Sequence, residues 1–151
     1  MRERTYFDTG PCVGEILNFH FYPGLGDYLD GNYRSAVGQL DYFIARPQYT
    51  VMNPKQAEYF SIAYYIRGSI FLEHASGSSR HALAINDFEA SIRWNKQNYQ
   101  SYLKLATAYK ETQLKDRAVS VLKSLLDLHP PEEIRKEAAT LLGEIEAQKI
   151  P

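Results

Sequence analysis

The chain reads as an all-α protein, a right-handed superhelical stack of antiparallel helix pairs. Two patterns in the sequence carry that reading. The string Ala84-Ile85-x-x-Phe88-x-x-x-Ile92 returns as Ala118-Val119-x-x-Leu122-x-x-x-Leu126, displaced by 34 residues at every matched position. A third copy, Ala36-Val37-x-x-Leu40-x-x-x-Ile44, lies 48 residues before the first. Each copy places its apolar residues on one helical stripe, and self-similarity at a period of roughly 20–50 residues marks a stack of supersecondary units. The second pattern is an upstream partner for two of these helices. Tyr102-x-x-Leu105-Ala106-x-x-Tyr109 precedes Ala118, and Tyr64-x-x-Arg67-Gly68-x-x-Phe71 precedes Ala84. Ala106 and Gly68 are small enough to let two helices approach closely.

The elements follow in chain order. Residues 1–22 form an N-terminal arm or an extra helix. Gly10-Pro11-Cys12-Val13-Gly14 interrupts regular structure, whereas residues 15–22 are mostly apolar and fit either a helix or an extended arm. A first, irregular pair spans 23–47. Pro23 falls where its first helix would otherwise run on, and an internal proline removes a donor and clashes with the preceding turn. That helix is therefore short, beginning near Pro23, or kinked. Gly31-Asn32-Tyr33 marks the turn into its partner. Pro47 and Pro54 bracket a loop, and Asn53-Pro54 predicts a helix start with Asn as the cap and Pro at the first helical position. A second pair spans 53–98, interrupted by the Gly/Ser-rich turn around Gly77, and a third spans 99–131. After Pro130-Pro131, Glu132 and Glu133 begin a last helix where negative charge suits the dipole. Ile134, Ala138, Leu141, Leu142 and Ile145 give it one apolar face, so residues 132–151 form a terminal cap.

These units resemble the tetratricopeptide repeat (TPR) family. The resemblance is strongest over residues 99–130, where small and large residues keep the family's spacing and Pro130 closes the unit. In the unit before it, Lys96 stands where the family has proline. The resemblance implies a concave surface lined by the first helix of each pair, on which the family binds peptides.

Composition bounds the alternatives. The chain has 151 residues, 44% hydrophobic and 23% charged, an ordinary balance for a folded chain and one that excludes wholesale disorder. Seventeen basic residues against eighteen acidic ones leave a net charge of -1, which argues against nucleic acid as a partner. The one unusual feature is the aromatic load, with twelve Tyr and seven Phe. The N-terminus has no apolar signal-peptide core, so the expectation is a cytoplasmic protein, or a periplasmic or envelope one if a leader has been removed.

No motif points to catalysis or to a cofactor. Gly24-Leu25-Gly26 is a bare pair with nothing downstream to complete a dinucleotide fingerprint. Cys12 has no cationic neighbour to activate it. His20, His74, His81 and His129 are scattered, and only Glu73 lies near the His74/His81 pair, short of a zinc ligand set. The expectation is a non-enzyme without metal or cofactor.

What remains is a surface. One step around the first helices from their packing positions lie Tyr65, Ser69, Leu72 and Glu73, and in the next unit Leu103, Thr107, Lys110 and Glu111. By the resemblance, these eight line the peptide groove. Residues 59–72 are apolar almost all round, which fits either burial on every side or a sticky exposed face; burial is the favoured reading. A subgroup of the family clamps the C-terminal carboxylate of chaperones with Lys and Asn. Here Tyr65, Ser69, Leu103 and Thr107 occupy those places, so the expected ligand is an apolar or aromatic peptide segment or helix. The resulting expectation is a non-catalytic protein-protein interaction module, an adaptor or scaffold. The alternative is a self-associating or fixed subunit of a larger assembly, such as one in a bacterial envelope. It rests on the aromatic residues Tyr6, Phe7, Phe19, Phe21 and Tyr22, which are costly to leave in water.

Overall fold

The computed structural model describes residues 16–46 and 54–148. The features noted at Tyr6, Phe7, Cys12 and Asn53, and the loop between Pro47 and Pro54, lie outside them. Seven α-helices occur among the described residues: α1 (Tyr22–Leu29), α2 (Tyr33–Ile44), α3 (Pro54–Glu73), α4 (Arg80–Trp94), α5 (Tyr99–Glu111), α6 (Lys115–Asp127) and α7 (Glu132–Ala147). Each helix packs against the next, and α1, α3, α5 and α7 also touch one another in sequence. The result is an inner layer of first helices (α1, α3, α5, α7) and an outer layer of second helices (α2, α4, α6), the right-handed superhelix of a TPR-like solenoid.

The irregular start has a local cause. A π-helical turn, Leu17–Phe21, runs directly into α1, with Pro23 in the first turn of that helix. Pro23 therefore sits inside a continuous helical run, where it has no N–H to give to the preceding turn, and the chain meets it with a wider turn in which the Tyr22 N–H donates to the Leu17 carbonyl. The chain leaves α1 through Gly31 at φ 80°, a left-handed conformation that glycine adopts without strain.

The repeated pattern in α2, α4 and α6 is the packing stripe. Ala36, Ala84 and Ala118 are fully buried, as are Leu40, Phe88 and Leu122 four residues on. A third buried position follows at Phe43, Ser91 and Leu125. Opposite them the small residues of the inner helices set the approach. A Cβ on Gly68 would lie 3.0 Å from Asp87 Cβ and from the Phe88 ring, closer than side chains pack. Ala106 is likewise fully buried.

The core has two parts. One gathers around Phe21, Leu40, Phe43 and Phe60, the other around Phe88, Leu105, Leu122 and Ile145, with Tyr65 packed against both. An aromatic column crosses the first part: Phe43 stacks on Phe60 at 4.7 Å and Phe60 on Trp94 at 4.6 Å. No residue from 59 to 72 is exposed, because α3 is enclosed by α1, α2, α4 and α5. Its near-uniform apolarity therefore reflects burial.

Two polar clusters are built into these contacts. Ser61 Oγ donates to the Ser91 carbonyl at 2.8 Å, and Ser91 Oγ donates to the Ser61 carbonyl at 2.7 Å. Asn98 Nδ2 donates to both hydroxyls, and Ser101 Oγ lies 2.7 Å from Ser91 Oγ. Nearby in the stack, Arg67 grips Asp87 through two hydrogen bonds of 2.7 and 2.8 Å and reaches Asp41 of α2 at 2.7 Å. Burial pushes the Asp87 carboxyl upward against the opposing pull of the Arg67 guanidinium. No buried side-chain polar atom lacks a partner among the described residues.

Ala118→Asp tests the register. A carboxylate at this fully buried position has no cation to meet, and an uncompensated buried charge costs about 3–5 kcal/mol. We expect the thermal midpoint, followed by circular dichroism, to fall by roughly 10 °C or more. An unchanged midpoint would rule out the packing stripe described above.

Candidate functional site

The inner layer is built from α1, α3, α5 and α7. Between α5 and α7 runs a cleft of about 280 Å³ lined by Leu103, Thr107, Glu137, Thr140, Leu141 and Glu144. Leu103 forms part of its apolar floor and is otherwise buried. Thr107 stands one helical turn further on, its Oγ1 donating to the Leu103 carbonyl at 2.9 Å. That bond satisfies the hydroxyl within its own helix.

The remaining expected site residues are placed as follows. Ser69 and Leu72 are buried; Ser69 Oγ donates to the Tyr65 carbonyl at 2.9 Å, and Leu72 joins the core beside Leu103. Tyr65 is half-buried between the two parts of the core. Glu73 is exposed and forms an ion pair with Lys104. Lys110 donates to Glu144 of α7 at 2.6 Å. Glu111 is exposed, with His81 Nε2 of α4 at 2.8 Å from its carboxylate. The structure thus brings Leu103, Thr107 and Lys110 together with α7. It turns Ser69 and Leu72 into the packing and leaves Glu73 and Glu111 on charged edges. For Ser69 and Leu72 the reason is the enclosure of α3, which leaves no free stripe on that helix.

Sequence reasoning missed the α7 side of the cleft, Glu137, Thr140, Leu141 and Glu144, and two further residues of this surface. Lys104 of α5 and Tyr28 of α1 join Tyr65 and Glu73 of α3 in one cluster across three inner helices. Burial works against the Lys104 charge, but the hydrogen bond and charge of Glu73 outweigh it, so the ammonium pKa is raised. The Tyr28 hydroxyl is raised by burial and by the nearby Glu73 carboxylate. Lys104 carried one legible signal: it is the single charged residue between positions 99 and 109. Tyr28 carried none, because its role depends on a contact between distant parts of the chain.

Lys104 and Lys110 are each neutralised by the neighbouring inner helix, Lys104 by Glu73 and Lys110 by Glu144. Among the described residues, no group of three or more His, Cys, Asp or Glu side chains could hold a metal ion. Among the same residues, no helix is long and apolar enough to cross a membrane.

The fold is that of TPR domains. The first TPR domain of Spaghetti (RPAP3), solved with the HSP90 peptide SRMEEVD, superposes with a TM-score of 0.68 at 18% identity, covering 89% of this chain and 93% of that one. The second TPR domain of human RPAP3, solved by NMR with the HSP70 peptide SGPTIEEVD, gives a TM-score of 0.60 at 18% identity, covering 87% and 95%. No family model matches the sequence. No curated protein matches it either.

The interhelical ion pairs lie on a largely exposed surface, and such pairs contribute about 0–1 kcal/mol. Glu144→Gln should therefore leave the denaturant-unfolding free energy within about 1 kcal/mol of the parent. A much larger loss would show that this pair holds α7 in place and is no free feature of the groove.

Proposed function

We infer that the chain is a non-catalytic protein-binding module that receives a peptide or helix of a partner protein along the inner layer. The fold it shares with two peptide-bound domains supports the general reading. The finer reading rests on one observation: the two cations of the surface, Lys104 and Lys110, are already occupied by Glu73 and Glu144. A partner carboxylate must displace an internal one to reach either ammonium, which offsets much of what it gains. An apolar or aromatic side chain instead meets the Leu103, Thr107 and Leu141 cleft at no such cost. In this reading Lys110, Glu73 and Glu111 tune selectivity at the edges, and Tyr65, Ser69 and Leu72 support the floor from behind.

Two binding measurements test it. Peptides selected from a random library on the intact protein should carry apolar or aromatic anchors. They should lose most of their affinity to Thr107→Trp, which fills the cleft without charge. The HSP90 peptide SRMEEVD should bind the parent weakly or not at all, and gain affinity when Glu73→Gln and Glu144→Gln free the two lysines. Tight binding of SRMEEVD to the unaltered protein would overturn the apolar reading and replace it with recognition of an acidic tail.

A second reading has its own observation. Phe19 and Leu29 are 68% and 74% exposed, and Tyr22 and Tyr42 are also exposed, all in the N-terminal part. A chain that self-associates would cover them. Under that reading, Phe19→Ser with Leu29→Ser yields a smaller species than the parent in sedimentation velocity. An unchanged sedimentation coefficient removes it.

A further inference from the structure

A second cavity, of about 520 Å³, opens at the edge of the stack where α3 begins and α4 ends. Its lining includes Lys55, Glu58, Arg93, Trp94 and Lys96, and it shares no residue with the inner-layer cleft. Three cations thus face a single carboxylate on a chain whose net charge is -1. None of the three forms an ion pair among the described residues. Lys104 and Lys110 differ in this respect, since each is neutralised by a neighbour.

The cavity wall is held in place. Trp94 stacks on Phe60 at 4.6 Å and an interplanar angle of 20°, which fixes the indole. The connection after it is pinned at three points. The Gln97 N–H donates to Asn95 Oδ1 at 3.0 Å, the Tyr102 hydroxyl donates to the Lys96 carbonyl at 3.2 Å, and Asn98 enters the buried serine cluster. A rigid loop carrying Lys96 beside Arg93 and Lys55 loses little freedom when an anion arrives, and the mutual repulsion of the three cations is relieved.

We propose that this cavity is a second binding site, one for a short acidic peptide segment of a partner protein, independent of the inner-layer groove. Arg93 takes a carboxylate through its planar fork, Lys55 and Lys96 take its neighbours as point charges, and the Trp94 edge receives the intervening apolar stem. The volume suits two or three side chains. The overall negative charge and the small number of cations suit a short acidic segment and not an extended nucleic acid, which needs a longer basic track.

Trp94 is the only tryptophan in the chain, so its emission reports on this site. Tri-glutamate capped at both ends is titrated into the whole protein at low ionic strength, followed by Trp94 emission and by heat. The caps remove any terminal carboxylate. The expected result is saturable binding that weakens with added salt, is absent with capped tri-glutamine, and falls roughly tenfold or more in Arg93→Gln with Lys96→Gln. These positions are exposed, so the double variant should melt like the parent; Lys55→Glu provides an independent second variant with the same expected loss. Absence of heat with tri-glutamate overturns the site, as does equal affinity in the well-folded double variant and in Lys55→Glu. Inorganic phosphate binding as tightly as tri-glutamate would overturn the peptide assignment in favour of a small-anion site. Tighter binding of a single-stranded oligonucleotide would overturn it in favour of nucleic acid.

Discussion

Ala36, Ala84 and Ala118 occupy the same place in three successive outer helices, and each is fully buried against the inner layer. Close approach at these points is the constraint from which the rest of the structure follows. A methyl group in place of a larger side chain lets the two helices of a pair come together, and Gly68 and Ala106 supply the matching gaps from the inner side. With that spacing set, Phe88 and Leu122 fill the spaces between pairs and bury a continuous core that no single pair could form alone. One face of every inner helix is used in this way. The opposite faces of α5 and α7 cannot be, and they become the cleft around Leu103 and Thr107.

Polar groups are sorted by the same geometry. Where pairs meet in the interior, hydroxyls and charges are locked into complete sets. Ser61, Ser91, Ser101 and Asn98 satisfy one another, and Arg67 neutralises Asp87 while reaching Asp41. Removing one member of such a set leaves the other stranded, so these contacts fix how α2, α3, α4 and α5 fit together. On the inner surface the charges are more exposed, and their pairs are individually weak and exchangeable. Lys104 and Lys110 are therefore expected to contribute little to whether the chain folds. At the α3–α4 edge, Lys55, Arg93 and Lys96 form no ion pair among the described residues, so that cavity and the cleft differ in charge.

The stack was legible in the sequence because its packing stripe is local. Ala, then Leu or Phe four residues later, repeats in register and falls on one side of any helix that carries it. The third buried position was hidden, since Phe43, Ser91 and Leu125 share no chemistry and Ser91 is buried only because Ser61 meets it from another helix. Pro23 was readable as the reason for a short first helix, although the π-turn before it was not. The site was less legible. One step around α5 from its packing face lie Leu103 and Thr107, which line the cleft, and Lys110, which bonds Glu144 beside it. The same step on α3 gave Ser69 and Leu72, which are buried, because spacing within a helix does not reveal that four neighbours enclose it. Tyr28 and Glu144 depend on contacts between distant segments, which no local pattern encodes, and the lone charge of Lys104 in its stretch did not name its partner.

We propose that the inner layer is left open for a different protein and is not consumed by contacts between copies of this chain. The molar mass in solution, measured by light scattering on a sizing column over a wide range of protein concentration, tests it most directly. A monomer throughout is the expected result. A discrete oligomer that persists on dilution would contradict it and would show that the exposed aromatic and apolar side chains of this chain already serve each other.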